Sequence, residues 1–127
     1  MKLQDILVVE DDPAIQTVAK MALELVGGFN VRVCSSGEEA LEAARSGPQL
    51  ILLDVMMPGM DGPTVLKRLR ASPDTQHIPV VFMTAKVQSF EIEQLRGLGA
   101  LDVIAKPFEA MTLSQTVSEI WERQRPA

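Results

Sequence analysis

Four short apolar runs, each ending next to a polar residue, constrain the fold of this 127-residue chain more than any other feature. They cover residues 6–9, 50–53, 80–83 and 101–105, and only Asp102 interrupts the last one. Such runs show little alternation and are typical of strands buried on both faces. A weaker run at residues 29–34 alternates as a strand at a sheet edge or a half-exposed strand would. We therefore expect five strands.

Apolar residues at helical spacing occupy the segments between these runs. The first helix can begin at Asp12 and Pro13, a capping residue followed by a first-turn proline, and two glycines at 27–28 would end it. The second opens with Ser36 and Glu39, which form a capping-box pattern. Further helices are expected over about residues 62–71 and 89–98. A last helix carries one apolar stripe of Leu113, Val117, Ile120 and Trp121.

Strand and helix thus alternate five times along the chain. This pattern predicts an α/β fold with a doubly wound five-stranded parallel sheet, right-handed crossovers and five helices on both faces. In such sheets ligands bind at the carboxyl ends of the strands, near the point where the strand order reverses. We expect one domain over residues 1–127, since the length is near the commonest domain size.

Composition excludes several classes of protein. No apolar stretch is long enough for a membrane helix, and the first residues do not resemble a secretion signal. The single cysteine, Cys34, cannot form an internal disulfide, which fits a reducing compartment. A net charge of -5 argues against direct nucleic-acid binding. We expect a soluble, cytoplasmic protein without membrane or nucleic-acid contacts.

Polar residues follow four of the predicted strands. Glu10, Asp11 and Asp12 come after the first, and Asp54, Thr84 and Lys106 come after the third, fourth and fifth. Clustered carboxylates repel one another unless a cation compensates them, so the acids imply a bound metal. Oxygen ligands without histidine or thiolate favour a hard ion, Mg²⁺ or Mn²⁺. Asp12 is instead predicted to cap the first helix.

These side chains suit phosphoryl transfer to a carboxylate. A carboxylate can act as the nucleophile, and the reaction needs mainly positioning and charge neutralisation. Lys106 and Thr84 would supply an ammonium and a hydroxyl to phosphoryl oxygens. A phosphohydrolase with an aspartate nucleophile is an alternative, but the Asp-x-Asp signature of the haloacid dehalogenases is absent from the first strand.

Four motifs in this order resemble the receiver domain of bacterial two-component response regulators, of the stand-alone chemotaxis (CheY-like) type. They are residues 6–13 (ILVVEDDP), 53–62 (LDVMMPGMDG), 83–85 (MTA) and 105–108 (AKPF). The resemblance implies the flavodoxin-like strand order 2-1-3-4-5. It also implies that Asp54 is the phosphoacceptor and that Asp11, Glu10, Asp54 and the Met56 backbone carbonyl bind the metal.

The resemblance further implies a switch. Thr84 would move toward the phosphoryl group, Lys106 would pair with it, and the bond before Pro107 would be cis. The family usually has an aromatic residue where this chain has Val103, which has no ring to swing inward. We therefore expect coupling through backbone shifts after the fourth strand. Lys86, together with Met56, is predicted to modulate the lifetime of the phosphorylated state.

The implied function is binding regulation rather than turnover. A histidine kinase or phosphotransfer protein would donate the phosphoryl group, and the chain would assist its own phosphorylation and dephosphorylation without being an enzyme. A downstream protein would bind the surface of helix 4, strand 5 and helix 5. The favoured hypothesis is a stand-alone receiver; the alternative is a receiver excised from a longer response regulator or hybrid kinase.

Overall fold

Strands and helices alternate along residues 2–85 and 88–124, which are the residues that the computed structural model describes. The strands are β1 (Asp5–Val9), β2 (Asn30–Cys34), β3 (Leu50–Asp54), β4 (Val80–Thr84) and β5 (Asp102–Ala105). The helices are α1 (Pro13–Met21), α2 (Gly37–Ala44), α3 (Gly62–Ala71), α4 (Ser89–Gly97) and α5 (Ala110–Gln124). A π-helical turn, Ala22–Val26, continues α1.

All five strands form one parallel sheet in the order β2-β1-β3-β4-β5. The predicted fold class and strand order are therefore confirmed. The chain runs outward from β1 to β2 and then crosses back to β3, so the order reverses beside β1 and β3. The carboxyl ends of those two strands carry Glu10 and Asp54.

Each face of the sheet is covered by its own apolar layer. Successive strand residues point to opposite faces, so Leu7 and Val9 contact one layer whereas Ile6 and Val8 contact the other. Helices α2, α3 and α4 pack on the first face, and α1 and α5 pack on the second. Burying each large aliphatic side chain contributes about 1.5–3 kcal/mol. Trp121 is part of the second layer, as predicted.

Side-chain caps fix where the helices begin. Asp12 accepts a hydrogen bond from the Ala14 amide at 2.8 Å, which confirms its predicted role at the start of α1. Ser36 accepts from the Glu39 amide at 3.2 Å at the start of α2. These bonds satisfy amides that the first turn of a helix leaves without partners.

The end of α1 departs from a regular helix. Its last turn is π-helical, and Gly28 leaves it in the left-handed region with φ +72°. A Cβ at Gly27 would lie 2.7 Å from both Phe29 Cε2 and Ser114 Cβ, so only glycine allows α5 to approach this closely. The helical pattern predicted the end of the helix but not its π-helical turn.

Two further predictions concern the surface. His77 is exposed in the connection between α3 and β4, as a surface histidine would be. Within the described ranges, no helix combines the length and apolar character needed to cross a lipid bilayer.

Candidate functional site

The carboxyl edge of the sheet brings four elements to one site. Glu10 follows β1, Asp54 ends β3 and Thr84 ends β4, and all three are at least 97% buried. Lys106 follows β5, and its amide donates to the Thr84 carbonyl at 2.8 Å. Parallel strands place their carboxyl ends at the same edge, which is why residues so distant in sequence meet here.

Three carboxylates form the centre of the site. One oxygen each of Glu10, Asp11 and Asp54 lie within 4.8 Å of one another. Asp11 is half-buried, whereas the other two are buried. Like charges this close together favour the uptake of a proton or a cation.

Lys106 partly compensates these acids. Its ammonium donates to Glu10 Oε1 at 2.7 Å and to Asp54 Oδ1 at 3.2 Å. Only 15% of its side chain is exposed. A buried ammonium held by two carboxylates is in position to contact any group that binds to Asp54.

Two groups of the site have pKa values raised above their ordinary values. Burial raises the pKa of Glu10 to about 7, even though the hydrogen bond from Lys106 lowers it, and Asp54 raises it further. Burial lowers the pKa of Lys106, but the hydrogen bond to Glu10 and the charge of Asp54 outweigh this effect and the pKa is raised. Three carboxylates and one ammonium meet here, so the acidic groups outnumber the cationic ones.

This excess of charge fits a divalent metal. The donor set consists of carboxylate oxygens, which suit hard cations such as Mg²⁺ rather than softer transition metals. Glu10, Asp11 and Asp54 could hold the ion. The Met56 amide lies 3.4 Å from Asp54 Oδ1, which keeps the backbone of Met56 beside the phosphoacceptor candidate. The role of the Met56 carbonyl as a ligand stays a prediction.

Gly62 allows α3 to begin directly beneath the site. A Cβ at this position would lie 2.5 Å from the Asp54 carbonyl oxygen and 3.1 Å from Phe82 Cε1. The Gly62 amide instead donates to the Val55 carbonyl at 2.9 Å. A larger residue would push apart the end of β3 and the start of α3, and Asp54 with them.

The structure also locates the other predicted site residues, with one exception. Val103 is half-buried and packs against the layer formed by α2, α3 and α4. Met56 is 62% exposed, so its side chain is accessible near the site. The bond between Lys106 and Pro107 is cis, as the resemblance implied. Lys86 lies outside the described residues.

Asp102 has a structural role that sequence reasoning missed. This buried carboxylate accepts from Arg96 of α4 at 2.6 Å and from Arg123 of α5 at 3.0 Å. It also accepts from the Val103 amide at 2.8 Å. An acid inside an apolar run was the available signal, but no sequence pattern links it to either arginine. Asp102 therefore connects α4, β5 and α5.

Replacing Asp102 with asparagine should destabilise the fold in a pH-dependent way. Burial raises the pKa of Asp102, but hydrogen bonds from Arg96 and the Val103 amide, with the charges of both arginines, lower it below its ordinary value. Its stabilisation is therefore present above the unfolded pKa of about 3.9 and is lost as the pH falls through the lower folded pKa.

We expect Asp102→Asn to cost about 2 kcal/mol at pH 7, with a shrinking difference from the unmodified chain below about pH 4. Urea unfolding followed by the fluorescence of Trp121, the only tryptophan, would measure the free energy of unfolding at each pH. The exposed Asp74, changed to asparagine, is the matched control. Equal stability of Asp102→Asn and the unmodified chain at pH 7 would contradict this account.

An apolar groove lies next to Lys106. It has a volume of about 230 Å³ and is lined mainly by Ile15 and Val18 of α1 and by Pro107 and Phe108 after β5. Val18 is 42% exposed there. The groove extends the polar site with a surface on which an apolar side chain of another protein could pack.

Comparison with known proteins agrees with this geometry. A family model described as "Response regulator receiver domain" matches residues 6–118. The chain is 36% identical to the phosphate regulon transcriptional regulatory protein PhoB of Rhizobium meliloti, covering 98% of this chain and 55% of that protein. It is 32% identical to chemotaxis protein CheY-3 of Vibrio cholerae, covering 96% of this chain and 95% of that protein.

Solved structures show the same architecture. The chemotaxis response regulator CheY4 of Vibrio cholerae superposes with a TM-score of 0.85 at 26% identity, covering 94% of this chain and 99% of that one. Among curated relatives, the chain spans about half the length of several transcriptional regulators. The shared part is the sheet with its helices.

Proposed function

Because the chain belongs to the response regulator receiver family, we propose that it is a switch whose Asp54 accepts a phosphoryl group from a histidine kinase or phosphotransfer protein. The observation that carries this proposal is the buried Asp54 carboxylate, held at 3.2 Å from the Lys106 ammonium and within 4.8 Å of two other acids. A nucleophile, a cation and a metal-binding cluster thus meet at one point.

The transfer would use these groups, the donor, the Thr84 hydroxyl and a divalent metal. An Asp54 carboxylate oxygen attacks the phosphorus, the new O–P bond forms, and the P–N bond breaks with its electron pair going to the imidazole of the donor. Lys106 can donate to a phosphoryl oxygen, and Thr84 offers a hydroxyl at the end of the neighbouring strand. A divalent metal, Mg²⁺ or Mn²⁺, held by Glu10, Asp11 and Asp54, would neutralise charge on the phosphoryl group.

The consequence of phosphorylation is a change in binding. The same groups would assist both formation and hydrolysis of the acyl phosphate. Both reactions would serve to set and reset a switch in the chain itself. Phosphorylation would shift the populations of two conformations that differ in affinity for a protein partner. The proposed partner surface is α4, β5 and α5, the elements that Asp102 connects. We propose that residues 1–127 act as one domain in the cytoplasm.

Incubation with Mg²⁺ and acetyl phosphate followed by intact-mass measurement tests the proposal. We expect one phosphoryl group per chain, absent when a chelator removes the metal. Because hydroxylamine cleaves acyl phosphates but not phosphoserine or phosphothreonine, the added mass should disappear with it. A chain that gains no phosphoryl group from acetyl phosphate in the presence of Mg²⁺ would refute the proposed function.

The apolar groove beside Lys106 supports docking of a protein donor. A phosphohistidine must reach Asp54, so the donor has to cover this edge of the sheet and the adjoining α1. Replacing Val18 with lysine would put a charge into the groove, and we expect transfer from the cognate kinase to slow by about tenfold. Acetyl phosphate does not use the groove, so its rate should stay unchanged. If the Val18→Lys variant is phosphorylated at the unmodified chain's rate by both donors, the groove has no role in docking the kinase.

The half-buried Val103 predicts an unusual route for the signal. We expect coupling through the backbone after β4, so Val103→Tyr should leave phosphorylation-dependent partner affinity unchanged within about twofold. Partner binding measured with and without a phosphoryl analogue checks this. A large gain of coupling in the variant would mean that the chain merely lacks the aromatic residue. Lys86 and Met56 remain proposed modulators of the acyl phosphate lifetime, to be tested by their alanine variants.

The lengths of the relatives support two arrangements of the native protein. CheY-3 has nearly the same length as this chain, which supports a stand-alone receiver. Several transcriptional regulators are about twice as long, which supports a receiver within a longer protein. The extent of the native reading frame distinguishes these two arrangements.

A further inference from the structure

The three-residue connection between β1 and α1 carries two of the three clustered acids, so its backbone must be fixed for them to meet. The Glu10 amide donates to the Cys34 carbonyl at 3.0 Å, which continues the pairing of β1 with β2. The Asp12 amide donates to Glu10 Oε2 at 3.2 Å. These bonds hold the amide side of the connection and leave the Glu10 carbonyl to be held by another group.

Gln16 of α1 provides that group. Its side-chain Nε2 donates to the Glu10 carbonyl and also to Ser35 Oγ at 3.0 Å. A carbonyl can only accept, so the amide must present its nitrogen here. The side chain, one turn into α1 and half-buried, thus connects the ends of β1 and β2 across the base of the acidic site.

From these contacts we infer that Gln16 is a positioning residue for the metal site. It fixes the peptide between Glu10 and Asp11 and thereby sets where both carboxylates point, without contacting the metal itself. This inference rests on the proposed function, because it requires that Glu10 and Asp11 bind a divalent cation. Groups that orient metal ligands from behind commonly change metal affinity by 10–100-fold when removed.

Titration calorimetry with Mg²⁺ alone, on the metal-free chain, tests the inference. Gln16→Met keeps the length and helix propensity of the side chain but removes the donor. We expect its Kd for Mg²⁺ to rise by about tenfold. Ser35→Ala should change the Kd by less than about twofold, since Gln16 retains the Glu10 carbonyl. Gln115→Met, the same change on the exposed face of α5, is the matched control and should bind like the unmodified chain.

Two outcomes overturn the inference in distinguishable ways. If the unmodified chain binds Mg²⁺ and Gln16→Met binds it equally well, the positioning role is wrong while the proposed function stands. If the unmodified chain binds no Mg²⁺, the metal part of the proposed function fails and this inference with it. Thermal unfolding of each metal-free variant separates positioning from general loosening: a lower midpoint with unchanged Kd also contradicts a positioning role.

Discussion

Asp54→Asn should abolish formation of the acyl phosphate completely. Asparagine has nearly the shape of aspartate but its amide is not a nucleophile, so no O–P bond can form at this position. Neither neighbouring acid is expected to replace it, because Glu10 and Asp11 are proposed to bind the metal and not to attack phosphorus. The expected result is no added mass in the presence of Mg²⁺ and acetyl phosphate.

The variant should otherwise remain folded. Asp54 is buried, but asparagine removes one of three crowded carboxylates and so relieves repulsion that the single ammonium leaves uncompensated. The unfolding midpoint should therefore be no lower than that of the unmodified chain. Asp74→Asn, at an exposed position, should be phosphorylated normally. An Asp54→Asn protein that still gains a phosphoryl group would show that the acceptor is another residue.

Lys106→Met should separate metal binding from phosphoryl transfer. Methionine keeps the apolar part of the side chain but removes the ammonium that contacts Glu10 and Asp54. Phosphorylation by acetyl phosphate should slow by about a hundredfold, because one donor to the phosphoryl oxygens is lost. Mg²⁺ should bind at least as tightly as before, since the cation that competes for the acids is gone.

Mass measurements on samples quenched at successive times give the rate of phosphorylation. Calorimetry on the same preparation gives the Kd for Mg²⁺. Lys67→Met is a suitable control, because Lys67 is an exposed lysine on α3. A Lys106→Met protein that is phosphorylated at the normal rate would remove Lys106 from the transfer step. Weaker Mg²⁺ binding would instead indicate that the lysine holds the acids in place.

Much of this site could be predicted because it follows from strand direction. Buried parallel strands are visible as apolar runs, and the residue after each run must lie at the same sheet edge. The sequence therefore predicts that Glu10, Asp54, Thr84 and Lys106 lie at one edge, where the structure has them. Helix bounds were equally accessible where a local signal exists, as in α3, which spans 62–71 as predicted.

Contacts between distant side chains could not be predicted in the same way. The arginines that contact Asp102 are 6 and 21 residues away, and no periodic pattern connects them to it. In the sequence, Gln16 is simply a polar residue of an amphipathic helix. Its hydrogen bond to the Glu10 carbonyl depends on how α1 packs against the sheet. The π-helical turn after α1 ends at Gly27, where α5 approaches closely, and no local pattern in the sequence signals that approach.

Locating the phosphoryl group within the chain tests the central claim most directly. The chain is phosphorylated with acetyl phosphate and Mg²⁺, reduced with borohydride, which converts an aspartyl phosphate to homoserine, and digested for peptide mass analysis. We expect homoserine at position 54 and at no other aspartate. Homoserine at position 11, a reduced glutamate at position 10, or a phosphoryl group on a hydroxyl side chain would contradict it.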